Sequence, residues 1–80
     1  SYPQVIINVK VGSKPVLESV APIKAMIDKL NIELNGSGRL LLRYSGTENL
    51  ARVMIEGKDE TTIRAQAEAM ANIIKENLAL

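Results

Sequence analysis

Eighty residues make one compact domain with a single modest core, because chains divide into several cores only well beyond about 150 residues. Apolar residues at 46% and charged residues at 24% are those of an ordinary globular chain, and with Cys and His absent there is no Cys/His zinc site, disulfide scaffold, or imidazole- or thiolate-based nucleophile. Ten Lys and Arg against nine Asp and Glu leave a net charge of +1, so any anion site must be local, and neither nucleic acid nor a membrane surface is an expected partner.

No run approaches the roughly 18 apolar residues of a membrane span, and nothing at the start resembles a cleavable leader. A cytoplasmic protein is expected. The opening Ser1-Tyr2-Pro3, with no Met, reads as an excerpt of something longer.

In chain order, residues 4–11 alternate, with Val5, Ile7, Val9 and Val11 on one parity and Gln4, Ile6, Asn8 and Lys10 on the other: a β-strand buried on one face. Gly12-Ser13-Lys14-Pro15 ends it. Val20, Ile23, Met26, Ile27 and Leu30 then recur at steps of three and four, which predicts an amphipathic helix ending near Leu30, with Ser19 as its N-cap and Pro22 in its first turn.

Ile32 and Leu34 alternating with Glu33 and Asn35 predict a short strand, turned back by Gly36-Ser37-Gly38. A three-residue loop with Gly38 at positive φ would put Ile32 and Leu34 opposite Leu42 and Leu40 under the helices. Residues 39–44 and 51–57 are the next strands, separated by the polar loop Ser45-Gly46-Thr47-Glu48-Asn49-Leu50. Asp59 is placed to cap a long C-terminal helix whose apolar stripe is Ile63, Ala67, Met70, Ile74 and Leu78. The order β-α-β-β-β-α predicts one α+β domain over residues 1–80, in two layers: a mostly antiparallel four-stranded sheet with both helices on one face.

The strands flanking the polar loop carry the chemistry. If Leu40 faces Ile55 and Leu42 faces Val53 under the helices, then on the open face Arg39 meets Glu56, Leu41 meets Met54, and Arg43 meets Arg52. Two guanidiniums in opposed positions repel unless an anion lies between them. The adjoining Ser45, Gly46 and Thr47 offer hydroxyls and loop amides for such an anion, and the planar fork of Arg suits a phosphate. The alternative is a solvated hairpin whose arginines lean apart into water. Glu48 either orients Arg43 or Arg52, touches a ligand hydroxyl, or is simply solvated. No pair of carboxylates has a spacing that implies acid/base work, so no catalytic residue is assigned.

The stretch Gly38-Arg39-Leu40-Leu41-Leu42-Arg43-Tyr44-Ser45-Gly46-Thr47-Glu48-Asn49-Leu50-Ala51-Arg52-Val53-Met54-Ile55-Glu56-Gly57 resembles the C-terminal signature of the α-D-phosphohexomutases, and within them the branch acting on glucosamine phosphates. Tyr2-Pro3-Gln4 before a valine-rich strand is similar to how that domain begins. One departure is Asn49, where the family pattern usually has proline.

The resemblance implies a substrate phosphate-binding domain that follows other domains of the same chain. Arg43, Ser45, Gly46 and Thr47 match the family's phosphate loop, and Arg52 matches the second arginine. It further implies an enzyme that interconverts glucosamine 6-phosphate and glucosamine 1-phosphate, with a phosphoserine and Mg²⁺ held by the earlier domains and a phosphosugar as partner. This chain alone would be inactive and would hold no metal. Another phosphohexomutase is the nearest alternative. A module reading nucleic acid is disfavoured by having only Tyr2 and Tyr44 as aromatics, and a dimerisation domain would use Ile6, Leu41 and Met54.

Overall fold

The computed structural model describes residues 1–79. Strand β1 (Gln4–Lys10) leads through a single 3₁₀ turn (Leu17–Ser19) to helix α1 (Ala21–Leu34). Strands β2 (Arg39–Tyr44) and β3 (Leu50–Glu56) form a hairpin, and helix α2 (Glu60–Leu78) follows. The sheet order is β1-β3-β2, antiparallel throughout, so the strand arriving last lies in the middle.

The sheet has three strands among the described residues, and the expected short strand at Ile32–Leu34 is the last turn of α1. Leu34 lies one helical turn beyond Leu30 and both are buried, whereas Ile32 is 76% exposed. A helix satisfies that difference; a strand placing Ile32 and Leu34 on one face would not. The helix also runs beyond Leu30, closed by Asn35 in the left-handed region (φ 35°) and Gly36 (φ 77°). Gly38 is not at positive φ, contrary to expectation. Glycine is needed there because a Cβ would collide with the Glu56 carbonyl oxygen.

The N-terminal cap differs too. Val20 precedes the helix, and the Ser19 hydroxyl donates instead to the Val16 carbonyl at 2.6 Å. Pro22 does fall in the first turn, where its missing N–H costs nothing. At α2 the Asp59 carboxylate caps as expected, accepting from the Thr62 amide (2.8 Å) and the Thr62 hydroxyl (2.7 Å).

The core lies between the sheet and the two helices. Val5, Val9, Val53 and Ile55 meet Ile23, Leu30 and Leu34 from α1 and Ile63, Ala67, Met70, Ile74 and Leu78 from α2. The entire predicted α2 stripe is buried. Leu40 and Leu42, on the edge strand β2, pack on this core while remaining partly exposed. Among the described residues no helix covers the other sheet face.

Candidate functional site

The cross-strand register is the one that hydrophobic patterning demands: Leu40↔Ile55, Leu42↔Val53, Arg39↔Glu56, Leu41↔Met54 and Arg43↔Arg52. Burying the aliphatics under the helices forces the alternate residues, arginines included, onto the open face. Arg39 meets its carboxylate there, with Nε 2.6 Å from Glu56 Oε1. Among the described residues neither Arg43 nor Arg52 makes an ion pair. Two guanidiniums thus stand on adjacent strands, with Cβ atoms about 5 Å apart by strand geometry.

Both arginines line a cavity of about 320 Å³, together with Asn8, Tyr44, Ser45, Gly46 and Leu50. Four of the five expected residues, Arg43, Ser45, Gly46 and Arg52, therefore come together; Thr47 lies further along the loop and does not line the cavity. The Glu48 side chain reaches neither arginine and is exposed.

The loop is tightly held. The Ser45 amide donates to the Leu50 carbonyl at 2.9 Å, closing the hairpin. The Ser45 hydroxyl accepts from the amides of Thr47 (3.3 Å) and Glu48 (3.1 Å). Three of the loop amides are thereby satisfied internally, and among the described residues the Gly46 N–H has no partner. Of the amides expected to meet an anion, Gly46 is thus the one left free, and it borders the cavity.

Asn8 escaped sequence reasoning. Its Oδ1 accepts from Arg52 Nε at 3.0 Å, in direct cross-strand register with that arginine. This holds the guanidinium by its inner edge and leaves the terminal N–H groups to face a ligand. The parity of Asn8 with Ile6 does place it on the open face. That β1 lies beside β3 could not be read from the pattern.

Tyr44 also borders the cavity; its side chain shares the helix-covered parity of Leu40 and Leu42, packs against the core, and its hydroxyl donates to the Pro15 carbonyl. Burial, and after it the charge of Glu18, raises this phenol above its ordinary value, so it stays a protonated donor. Among the described residues no three His, Cys, Asp or Glu side chains converge as a metal site would need, and no helix is long and apolar enough to cross a membrane.

The family model described as phosphoglucomutase/phosphomannomutase, C-terminal domain, matches residues 6–73. The chain is 44% identical over 79 residues to a phosphoglucosamine mutase of Protochlamydia amoebophila, covering 99% of this chain and 17% of that protein. It is 48% identical over 80 residues to the phosphoglucosamine mutase of Caldicellulosiruptor bescii, covering 98% and 18% respectively. For the Pseudomonas putida phosphoglucosamine mutase the identity is 51% over 76 residues, covering 92% and 17%. Among solved structures, an Aspergillus fumigatus N-acetylphosphoglucosamine mutase, crystallised as a serine-to-alanine variant with glucose 1,6-bisphosphate, superposes with a TM-score of 0.81 at 25% identity, covering 99% of this chain and 16% of that one. The chain thus spans about a sixth of the length of the relatives it matches.

Proposed function

The chain belongs to the phosphoglucomutase/phosphomannomutase family as a C-terminal domain, and from that premise we propose that the Arg43–Arg52 cavity grips the phosphate of a phosphosugar within a longer enzyme. The observation that carries this reading is the pair of guanidiniums in cross-strand register, neither in an ion pair among the described residues, beside the Gly46 amide, which has no partner among them. A phosphate between them replaces repulsion with charge-assisted bonds from two planar forks, which no single carboxylate in the chain supplies.

The reaction we assign to the longer enzyme is the interconversion of glucosamine 6-phosphate and glucosamine 1-phosphate. Relatives named phosphoglucosamine mutase, at identities from 41% to 51%, favour the aminosugar over other phosphohexoses. The part played here is positional. Holding the non-reacting phosphate converts remote binding energy into alignment of the reacting one. Arg43, Arg52, Ser45 and Gly46 read anion geometry and leave sugar identity to other domains, which suits a substrate that must be held in either orientation. Thr47, outside the cavity, belongs to the same loop and contributes by keeping the Ser45 hydroxyl engaged.

Mg²⁺ supplies charge neutralisation to phosphoryl transfer when bound. The described residues of this chain do not fit it; in this reading its ligands and the phosphoserine belong to other domains of the enzyme, which we place in the cytoplasm. For the dimerisation alternative the open face offers Ile6, 55% exposed, while Met54 beside it is only 6% exposed between Ile6 and Leu41.

Titrating the ¹⁵N-labelled chain with inorganic phosphate and with glucosamine 6-phosphate tests the reading. Perturbations should centre on the Gly46 amide and the side chains of Arg43 and Arg52; shifts confined to other parts of the chain would overturn it. In a full-length enzyme carrying this domain, Arg43→Lys should lower kcat/KM about tenfold or more, because a bidentate fork becomes a point charge.

A further inference from the structure

We propose that Lys14 is a positioning residue for the anion cavity, holding the Ser45 carbonyl so that the Gly46 N–H is presented to the ligand. The inference rests on the phosphate-gripping reading above and deepens it.

Lys14 Nζ donates to the Ser45 carbonyl oxygen at 2.9 Å, across 31 residues of sequence. That carbonyl and the Gly46 N–H belong to one planar trans peptide and point in opposite directions. Fixing the oxygen on Lys14 therefore turns the N–H away from Lys14. Gly46 lines the cavity with the two arginines, and Lys14 does not.

This is the peptide that needs an outside anchor. The neighbouring amides of Ser45, Thr47 and Glu48 are already engaged within the loop. A peptide adjoining glycine flips with little steric resistance, so the loop alone does not fix which way the Gly46 amide faces. A cation on the carbonyl also polarises the peptide and makes its N–H a better donor.

Lys14 is itself well placed for the task. The segment that bears it is tied to the site by Val11 N–H to the Asn49 carbonyl (2.9 Å) and by Tyr44 Oη to the Pro15 carbonyl, and to α2 by Gly12 N–H to the Leu78 carbonyl (2.7 Å). Three cations thus divide the work: Arg43 and Arg52 face the anion, and Lys14 acts from behind through the backbone.

The test compares the ¹⁵N-labelled wild-type chain with Lys14→Met and Lys14→Arg in inorganic phosphate titrations at low salt and at about 1 M salt, where screening shortens to about 3 Å. Lys14→Met should weaken phosphate binding by about threefold to tenfold, the net scale of one ordinary hydrogen bond. It should shrink the phosphate-induced shift of the Gly46 amide more than that of its neighbours, and leave thermal stability unchanged because Lys14 is exposed. The deficit should persist at high salt, and Lys14→Arg, which keeps a charged donor at similar reach, should restore most of it. Equal affinities for wild type and Lys14→Met overturn the inference while leaving the phosphate site standing, as does a deficit that disappears at high salt, which marks bulk attraction. A wild-type chain that binds no phosphate at Arg43 and Arg52 overturns the phosphate-gripping reading itself, and this inference with it.

Discussion

Gly46 is a glycine the fold does not require. Its φ lies outside the left-handed region, and a Cβ built on it meets no heavy atom within 4 Å. Alanine there should raise stability by about 0.4–1 kcal/mol through the unfolded chain. If the open space beside Gly46 is where the anion approaches, the same substitution should weaken phosphate binding in a titration. A Gly46→Ala chain that binds phosphate as wild type does would mean that the anion does not approach over the Gly46 Cα. Asp59 presents the reverse case, a charged residue explained wholly by the fold. Its bonds from the Thr62 hydroxyl and then from the Thr62 amide hold its carboxyl below the usual range. A group whose folded value is depressed contributes stability that is present above its unfolded pKa, about 3.9, and is lost as pH falls through the folded value. Thermal melts from pH 7 down to pH 2 should therefore show a loss of stability in the acid range that is smaller in Asp59→Asn, with phosphate binding at neutral pH the same in both. An identical acid profile for the two chains would deny Asp59 that role.

The linker after α1 shows how the same residue type answers different demands within one element junction. Gly36 is at φ 77°, where glycine relieves the backbone; Gly38 is required by proximity to the end of β3, a Cβ there striking the Glu56 carbonyl. Gly38→Ala should consequently cost roughly 1–3 kcal/mol by forcing β2 and β3 apart, since overpacking at a backbone contact cannot be relieved by a rotamer change. A denaturation curve superimposable on wild type would contradict that close approach. This junction is also where sequence reasoning failed. Three alternating residues, Ile32 to Leu34, satisfy a strand, while Leu30 to Leu34 at one helical turn continues α1; both periods predict a buried Leu34 and they differ only at Ile32. With the exposure of a single residue to choose between them, periodicity is undetermined, and Gly36 and Gly38 fit either ending. By contrast β2, β3 and α2 were legible because many residues agree: four aliphatics fix the hairpin register, and five apolar residues with one cap fix α2. From that register the two opposed arginines followed, whereas Asn8 and Lys14 join the site only through the placement of β1 beside β3, which local patterning does not encode.

At the scale of the whole molecule, stability and the candidate site occupy opposite faces of one thin sheet. The helix-covered face supplies the core; the open face bears Arg43 and Arg52 in direct opposition, with no ion pair to either among the described residues. Such a pair is destabilising by about 0.2–1 kcal/mol in the empty protein, and stabilising once an anion sits between the guanidiniums. Arg43→Gln should therefore reverse in sign with ligand. In phosphate-free buffer the variant should melt at or a few degrees above wild type, since about 1 kcal/mol shifts the midpoint of a domain this size by roughly 4–8 °C. With phosphate at ten times its dissociation constant, wild type gains about 1.4 kcal/mol by mass action, or roughly 5–10 °C, and the variant gains less. The two melting curves should change places as phosphate is added, a result that calorimetry on the same two samples can read directly. A variant less stable than wild type in the absence of phosphate would mean that the opposed arginines are not in conflict. Equal gains for both proteins would put the phosphate somewhere other than between them.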